Sequence, residues 1–279
     1  MPELPEVETV CNGLRARVLG KKIDSVELRR LAIRFPIPPE IDYRSSGQTI
    51  ARIDRHSKYI LIVLQDDDGR DAGRIMVHLG MTGKLFYLAD NAYNPEKHDH
   101  VIFHFANDAG ILVFNDARRF GVVDYLAPEQ TQHKLLDVLG IDPLSDQLTD
   151  DFLVQKFARK NVTMKAALMD QRIIAGLGNI YVCEALFRSG IHPQRIAHTL
   201  TRSDIKKLRV AIINVLQDAL KAGGSSLRDY VDVDGDQGLF QHSFQVYGRD
   251  GEPCVTCGTE IARFVQSGRS SFACGYCQK

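Results

Sequence analysis

The chain opens Met1-Pro2-Glu3-Leu4-Pro5-Glu6, and these six residues admit two readings. As structure they form a helix entry, because proline is tolerated where the first amides of a helix have no partner. As chemistry they carry a nucleophile. If Met1 is removed, Pro2 becomes a free secondary amine. An α-amino group has a pKa of about 8, against about 10.4 for lysine, so a sizeable fraction is neutral at neutral pH. A neutral amine condensed with a sugar aldehyde carbon gives an iminium, which is an electron sink. Glu3 lies beside the amine and Glu6 three residues on, so two carboxyls are placed for proton transfer. On these residues alone the helix entry is the better reading.

Working outward, Val7, Val10, Cys11, Leu14 and Val18 recur at helical spacing over residues 6–19, with Gly20 as the stop. Strand signals follow at 23–31, at the buried run Tyr59-Ile60-Leu61-Ile62-Val63-Leu64, and at 74–79, 84–88, 100–105, 111–114 and 121–126. Turn residues separate them, and residues 90–98 read as an exposed loop. Many short strands spaced by turns predict a sandwich or flattened barrel. Beyond 130 the pattern becomes helical. Thr149-Asp150-Asp151 caps a helix to about Arg159, and helices are expected at 163–169 and 180–189. A longer helix begins at Thr201 or Ser203 and stops at Gly223-Gly224. Residues 224–238, rich in Ser, Asp and Gly, read as a loop or lid. The expected fold is α+β and multidomain. An N-terminal β-sandwich with flanking helices spans 1–130, a helical domain 131–224, a lid loop 225–243 and a metal-bearing tail 244–279.

A length of 279 residues suits two domains. No apolar run approaches the roughly 18 residues that span a bilayer, and no secretion signal opens the chain, so a cytoplasmic protein is expected. The net charge is zero, which argues at first against a nucleic-acid binder. Its distribution argues the other way. Residues 156–221 hold twelve Lys/Arg against four Asp/Glu, a net of +8, while 1–155 carry −6 and 222–279 carry −2. A basic block in a neutral chain is either a solvated helical face or a polyanion-binding surface.

The cysteines give the most specific signal. Four of the six fall as Cys254-x2-Cys257-x16-Cys274-x2-Cys277. Two such pairs fit one structural Zn²⁺ with all four positions sulfur and none open for catalysis. About 30 residues are too few for a core of their own, so the metal must hold the tail. Cys11 and Cys183 are distant and read as buried thiols. Arg269 and Phe272 lie between the two pairs, where a hairpin tip would present them. Gly176-Leu177-Gly178-Asn179-Ile180-Tyr181 joins two helices. A helix start of this kind binds anions through its free amides, although by spacing alone an ordinary helix corner is the better reading. Met81 and Phe120 read locally as core, Arg118 as surface and Lys58 as a strand-edge lysine.

Taken together, PELPEVET, His78-Leu79-Gly80-Met81, Glu96-Lys97-His98-Asp99-His100, Asp116-Ala117-Arg118-Arg119-Phe120-Gly121, GLGNIY, VYGR and the cysteine tail resemble, in order and over essentially the whole length, the formamidopyrimidine-DNA glycosylase (Fpg) family of helix-two-turn-helix DNA glycosylases. The resemblance implies a monomeric, bifunctional glycosylase and AP lyase. It would clamp damaged double-stranded DNA and remove oxidised purines such as 8-oxoguanine and formamidopyrimidines. By that resemblance Pro2 is the nucleophile, Glu3 the proton donor to the opening sugar and Glu6 an orienting carboxylate. Lys58 and Arg269 hold phosphates around the lesion. Met81, Arg118 and Phe120 fill the void left by the flipped base, and His78, His98, Lys160, Asn161, Lys165 and Asn179 serve DNA binding. Arg228 sits in the lid where lysine is common in the family, and Ala117 stands where proline is common. Two rivals remain. One is an endonuclease VIII-like enzyme for oxidised pyrimidines, disfavoured because its members open PEGPE where this chain has Leu4. The other is a non-catalytic zinc-ribbon DNA-binding protein.

Overall fold

A computed structural model describes residues 1–90, 93–225 and 238–279. The chain divides into two compact units, Met1–Asp137 with Gly223–Gly238, and Val138–Ala222 with Leu239–Lys279.

In the first unit, helix α1 spans Leu4–Val18. Glu3 and Glu6 form a capping box at its start, with the Glu3 N–H donating to Glu6 Oε2 at 2.8 Å. Pro5 costs no hydrogen bond in the first turn. The buried stripe is Leu4, Val7, Val10, Cys11, Leu14 and Val18, and the chain turns away at Gly20, where φ is +76°. Two antiparallel four-stranded sheets follow. One orders β1 (Ile23–Leu28), β6 (Asp99–Phe105), β7 (Ile111–Asn115) and β5 (Lys84–Leu88). The other orders β2 (Thr49–His56), β3 (Tyr59–Gln65), β4 (Asp71–His78) and β8 (Val122–Leu126). Inward residues of both sheets, among them Ile60, Ile62, Leu64, Val101, Phe103 and Leu112, share one core with the α1 stripe. This is the predicted sandwich with a flanking helix.

Two elements escaped the sequence reading. Strand β2 has its buried residues at Ile50 and Ile53. A register shift between Ile50 and Arg52 inserts an extra residue there, which breaks the two-residue alternation. Helix α2 (Glu40–Ser45) is six residues long, too short to show a period.

The second unit is built on helices α3 (Asp150–Phe157), α4 (Met164–Met169), α5 (Asn179–Ser189) and α6 (Arg202–Lys221). Thr149 caps α3 through the Phe152 N–H, and Thr201 and Asp204 make a capping box on α6. The tail folds as a hairpin of β9 (Ala262–Gln266) and β10 (Arg269–Ala273). It shares a cluster with α5: Phe272, Ile261 and Val246 pack with Cys183 and Phe187. Among the described residues no helix is long and apolar enough to cross a membrane.

Glu184 explains how the tail is tied to α5. Its carboxylate has no solvent exposure and accepts the backbone N–H groups of Gln245, Val246 and Tyr247, at 2.9–3.1 Å. Without it the buried Val246 amide and the half-buried Gln245 and Tyr247 amides would lose their partner, the buried one alone costing about 1–3 kcal/mol. Glu184→Ala should therefore lower unfolding free energy by at least about 1 kcal/mol. Denaturant melts of the variant and parent check this, and a change below about 1 kcal/mol, the least that one orphaned amide would cost, would refute the role.

Candidate active site

Three of the expected site residues, Pro2, Glu3 and Glu6, lie at the start of α1. Glu3, Glu6 and Lys58 are buried, as is Pro2, while Met1 is exposed. The Glu6 carboxylate works in two directions. Oε2 receives the Glu3 N–H, and Oε1 receives the Ser225 N–H at 2.8 Å and the Ser225 hydroxyl at 3.0 Å. Gly224 makes this approach possible: its φ is +78°, and a Cβ there would lie 3.0 Å from Glu6 Oε1. Glu6 thus fixes the backbone one residue from Pro2 to the residue at the foot of the expected lid. Sequence reading did not find Ser225, because the partner is set by a contact across 219 positions.

Lys58 sits in the two-residue turn between β2 and β3, after Ser57, a non-glycine residue at φ +58°. That conformation costs on the order of 1–3 kcal/mol and persists only where surroundings enforce it. Arg55 supplies the enforcement. It donates to the Ser57 carbonyl at 3.1 Å and to Glu8 of α1 at 2.6 Å. Burial pushes the Glu8 carboxyl up, but Arg15 and Arg55 outweigh it and hold it below the usual range. The lysine-bearing turn is thereby pinned to the helix that follows Pro2.

His78, at the end of β4, lies beside Tyr59 with ring centroids 4.8 Å apart. Burial, with the Lys58 and Arg34 cations behind it, lowers its pKa to about 4. The ring is therefore neutral at pH 7. Its Nδ1 accepts the Gly80 N–H at 3.0 Å, which leaves the proton on Nε2. Arg34 was missed by the sequence reading. Its charge also bears on Tyr59, so Arg34 and Lys58 set two cations near the neutral His78 ring. The run of Arg29, Arg30 and Arg34 straight after β1 was the available signal.

The loops after β4 and β7 bring Met81, Arg118 and Phe120 outward. Met81 is 39% exposed and Phe120 44%, and the Arg118 guanidinium lies 4.8 Å over the Phe120 ring. Neither apolar side chain is core, contrary to the local reading. His98 is half-buried on the neighbouring loop, and its carbonyl accepts the Asp116 N–H. Burial, reinforced by the Glu8 charge, raises the Cys11 thiol to about 12, which makes it inert.

In the second unit, Gly176 (φ +109°) begins the turn into α5, and Gln171 clasps it, accepting the Gly176 N–H and donating to the Leu177 carbonyl. Asn179 opens α5 and donates to the Ser270 carbonyl at 3.0 Å. Asn161 is exposed, and Lys160 lies 3.6 Å from Asp170. Lys165 differs from expectation. It is buried, and its ammonium donates to the Ser270 carbonyl at 2.6 Å and to Ser271 Oγ at 2.7 Å. Here it acts as an internal strut under the strand that begins at exposed Arg269. Arg228 and most of the expected lid lie outside the described residues.

The four tail cysteines converge, their sulfur atoms all within 4.8 Å of one another. Cys254 and Cys277 are 3.9 Å apart and Cys257 and Cys274 3.5 Å. A tetrahedron with Zn–S of about 2.3 Å has edges of about 3.8 Å, so the set fits zinc. The Thr256 and Cys277 amides point at the Cys254 and Cys274 sulfurs at 3.4 Å, which stabilises thiolates. No position is left open, so the metal's part is structural.

A proline-led, doubly carboxylated helix on a sandwich is the equipment of an amine-using enzyme. A glycine-linked helix pair beside a four-cysteine hairpin is that of a nucleic-acid binder. Comparison with known proteins joins the two. Residues 1–123 match the formamidopyrimidine-DNA glycosylase N-terminal domain, 139–231 the formamidopyrimidine-DNA glycosylase H2TH domain, and 251–279 the zinc finger found in FPG and IleRS. The formamidopyrimidine-DNA glycosylase of Roseobacter denitrificans is 47% identical over 289 residues, covering all of both chains. That of Paracoccus denitrificans is 47% identical over 290, again covering all of both. Among solved structures, a mutant Lactococcus lactis FPG bound to Fapy-dG-containing DNA superposes with a TM-score of 0.90 at 36% identity and full coverage of both chains. The MutM (FPG) protein of Thermus thermophilus gives 0.86 at 36%, covering 99% of this chain and 98% of that one. The chain belongs to the formamidopyrimidine-DNA glycosylase family.

Proposed function

We propose that this chain is a bifunctional DNA glycosylase and AP lyase of base-excision repair that removes oxidised purines, 8-oxoguanine and formamidopyrimidines, from duplex DNA. The observation that carries the reading is a buried Pro2 whose neighbour Glu3 is pinned by Glu6 at 2.8 Å. Such a terminus is preorganised for attack once Met1 is gone.

The Pro2 nitrogen lone pair forms a bond to the deoxyribose C1′. The bond from C1′ to the base breaks, and its electron pair leaves with the base, which takes up the proton that the Pro2 nitrogen gives up on bonding. Glu3 delivers a proton to the ring oxygen as the sugar opens, leaving an iminium at C1′. The iminium acidifies C2′. Loss of a C2′ proton expels the 3′ phosphate, and a further elimination expels the 5′ phosphate, so the strand is cut on both sides. Lys58 and Arg269 hold the flanking phosphates and are the proton-transfer candidates for the eliminations. Neutral His78 offers its Nε2–H as a donor. Met81, Arg118 and Phe120 occupy the space of the flipped base. Lys160, Asn161 and the start of α5 at Asn179 take backbone phosphates, and His98 touches the same DNA. Lys165 acts through the Arg269 strand. The enzyme works as a cytoplasmic monomer.

Borohydride trapping tests this. The expected result is a covalent adduct with an 8-oxoguanine:C duplex, attached at Pro2 by mass spectrometry. Attachment at a lysine side chain would overturn the mechanism. Preference for a thymine glycol duplex would favour the endonuclease VIII-like reading.

Phosphate contacts should dominate affinity. Each phosphate neutralised adds about 0.9 to the slope of log K against log salt. With at least about three contacted, the slope should be steeper than about −2.5. A flat salt titration would remove the basic 156–221 block as the docking surface.

A further inference from the structure

Met81 stands on one loop, Arg118 and Phe120 on another, and a single hydroxyl joins them. Thr82 Oγ1 donates to Asp116 Oδ1 at 2.6 Å and accepts the Arg118 backbone N–H at 3.0 Å. Asp116 has no solvent exposure, and its other oxygen accepts the Gly121 N–H at 2.8 Å. The carboxylate is therefore withdrawn from water and spent on this clasp. Gly80 completes it. A Cβ at Gly80 would lie 2.5 Å from the backbone of Phe120 and Gly121, so the two loops meet backbone to backbone. Arg119 is held at φ +59° in the same turn. A buried carboxylate, a left-handed residue and a glycine contact thus hold side chains that face solvent. Such an arrangement costs folding energy with no core to show for it, which is the signature of a preorganised site.

We propose that Thr82 is a positioning residue that makes Met81, Arg118 and Phe120 act as one wedge, and that through Arg118 it sets the enzyme's discrimination among bases opposite the lesion. The proposal rests on the glycosylase reading above. A guanidinium offers donors only. The pairing edge of cytosine presents N3 and O2 as adjacent acceptors, whereas that of adenine presents the N1 acceptor beside an amino donor. An arginine held in place favours cytosine, while one free to swing settles for N1 alone and loses the distinction. The Arg118 N–H bond to Thr82 is what anchors the backbone from which the guanidinium reaches.

The test compares the parent, Thr82→Val and Thr82→Ser on three substrates: 8-oxoguanine opposite C, 8-oxoguanine opposite A, and an abasic site in single-stranded DNA, where no orphaned base exists. Valine keeps the shape of threonine without its hydroxyl. The Val variant should lose about tenfold in excision opposite C, the scale of one bidentate base contact, and its C-over-A ratio should collapse towards one. Its single-strand cutting should stay within about twofold of the parent, because no base contact is at stake there, and Ser should restore the C-over-A ratio. An unchanged ratio in Thr82→Val overturns the proposal. So does an equal loss on all three substrates, which would mean general destabilisation. A parent that cuts no abasic strand at all would instead sink the glycosylase reading on which this one stands.

Discussion

A chain that keeps Met1, or carries any extension ahead of Pro2, will neither nick abasic DNA nor form a borohydride-trapped adduct. An acylated nitrogen has no basic lone pair, so it cannot become an iminium. The loss should be on the order of 10⁴-fold or more, the scale seen when a covalent catalyst loses its nucleophile. Duplex affinity should change little, because Lys58, Arg269 and the basic block remain. Pro2→Gly is the informative companion. It keeps an amine but lets it swing, since glycine frees the torsion that the proline ring fixes. It should therefore retain a trapped adduct at a much lower rate. The free terminus also makes the pH profile predictable. An α-amine with a pKa of about 8 loses about tenfold in neutral form for each pH unit below it, so the base-removal rate should climb with pH up to that value. Nicking by a Met1-extended chain at the processed chain's rate would sink the proposed mechanism.

What the sequence disclosed, and what it hid, follows the range of each interaction. The zinc set was legible outright, because each pair of ligands is local and thiolate spacing is a chemical constraint. Strands β3 and β7 were legible because their buried residues alternate or run together within a few positions. Strand β2 was not, since its bulge shifts the pattern at Ile50. The site divides the same way. Pro2, Glu3 and Glu6 are adjacent, so their chemistry was readable, although only the family resemblance preferred it to a plain helix entry. Lys165 was expected, from the resemblance, among the DNA-binding residues. Whether it is buried depends on Ser270 and Ser271, 105 and 106 positions on, and nothing near it encodes that. Thr82 and Asp116 look like ordinary turn residues until the two loops meet. Interactions closed by topology leave no local period, and the residues that position others are mostly of that kind.

The same long-range closure makes the zinc the second point of large expected effect. Stripping it with a chelator, or replacing Cys254 with Ser, should unfold more than the tail. A Cys₄ zinc supplies about 10–16 kcal/mol to a fold that has too few residues for its own core. Once β10 is lost, Lys165 loses both the Ser270 carbonyl and Ser271 Oγ, and Asn179 loses its acceptor. Losing two partners of a buried charge costs up to about 3–5 kcal/mol, enough to disturb α4, on which Lys165 sits. The cluster that Phe272 and Ile261 form with Cys183 and Phe187 would open at the same time, baring one face of α5. Hydrogen exchange should therefore show lost protection in α4 and α5 while β3 and β4 of the sandwich keep theirs. Duplex affinity should fall by at least about a hundredfold, since Arg269 and the start of α5 are displaced together, a loss of about 2.7 kcal/mol. A chelated protein with parental protection in α4 would mean that the helical core holds Lys165 by other means, and that the metal serves the hairpin alone.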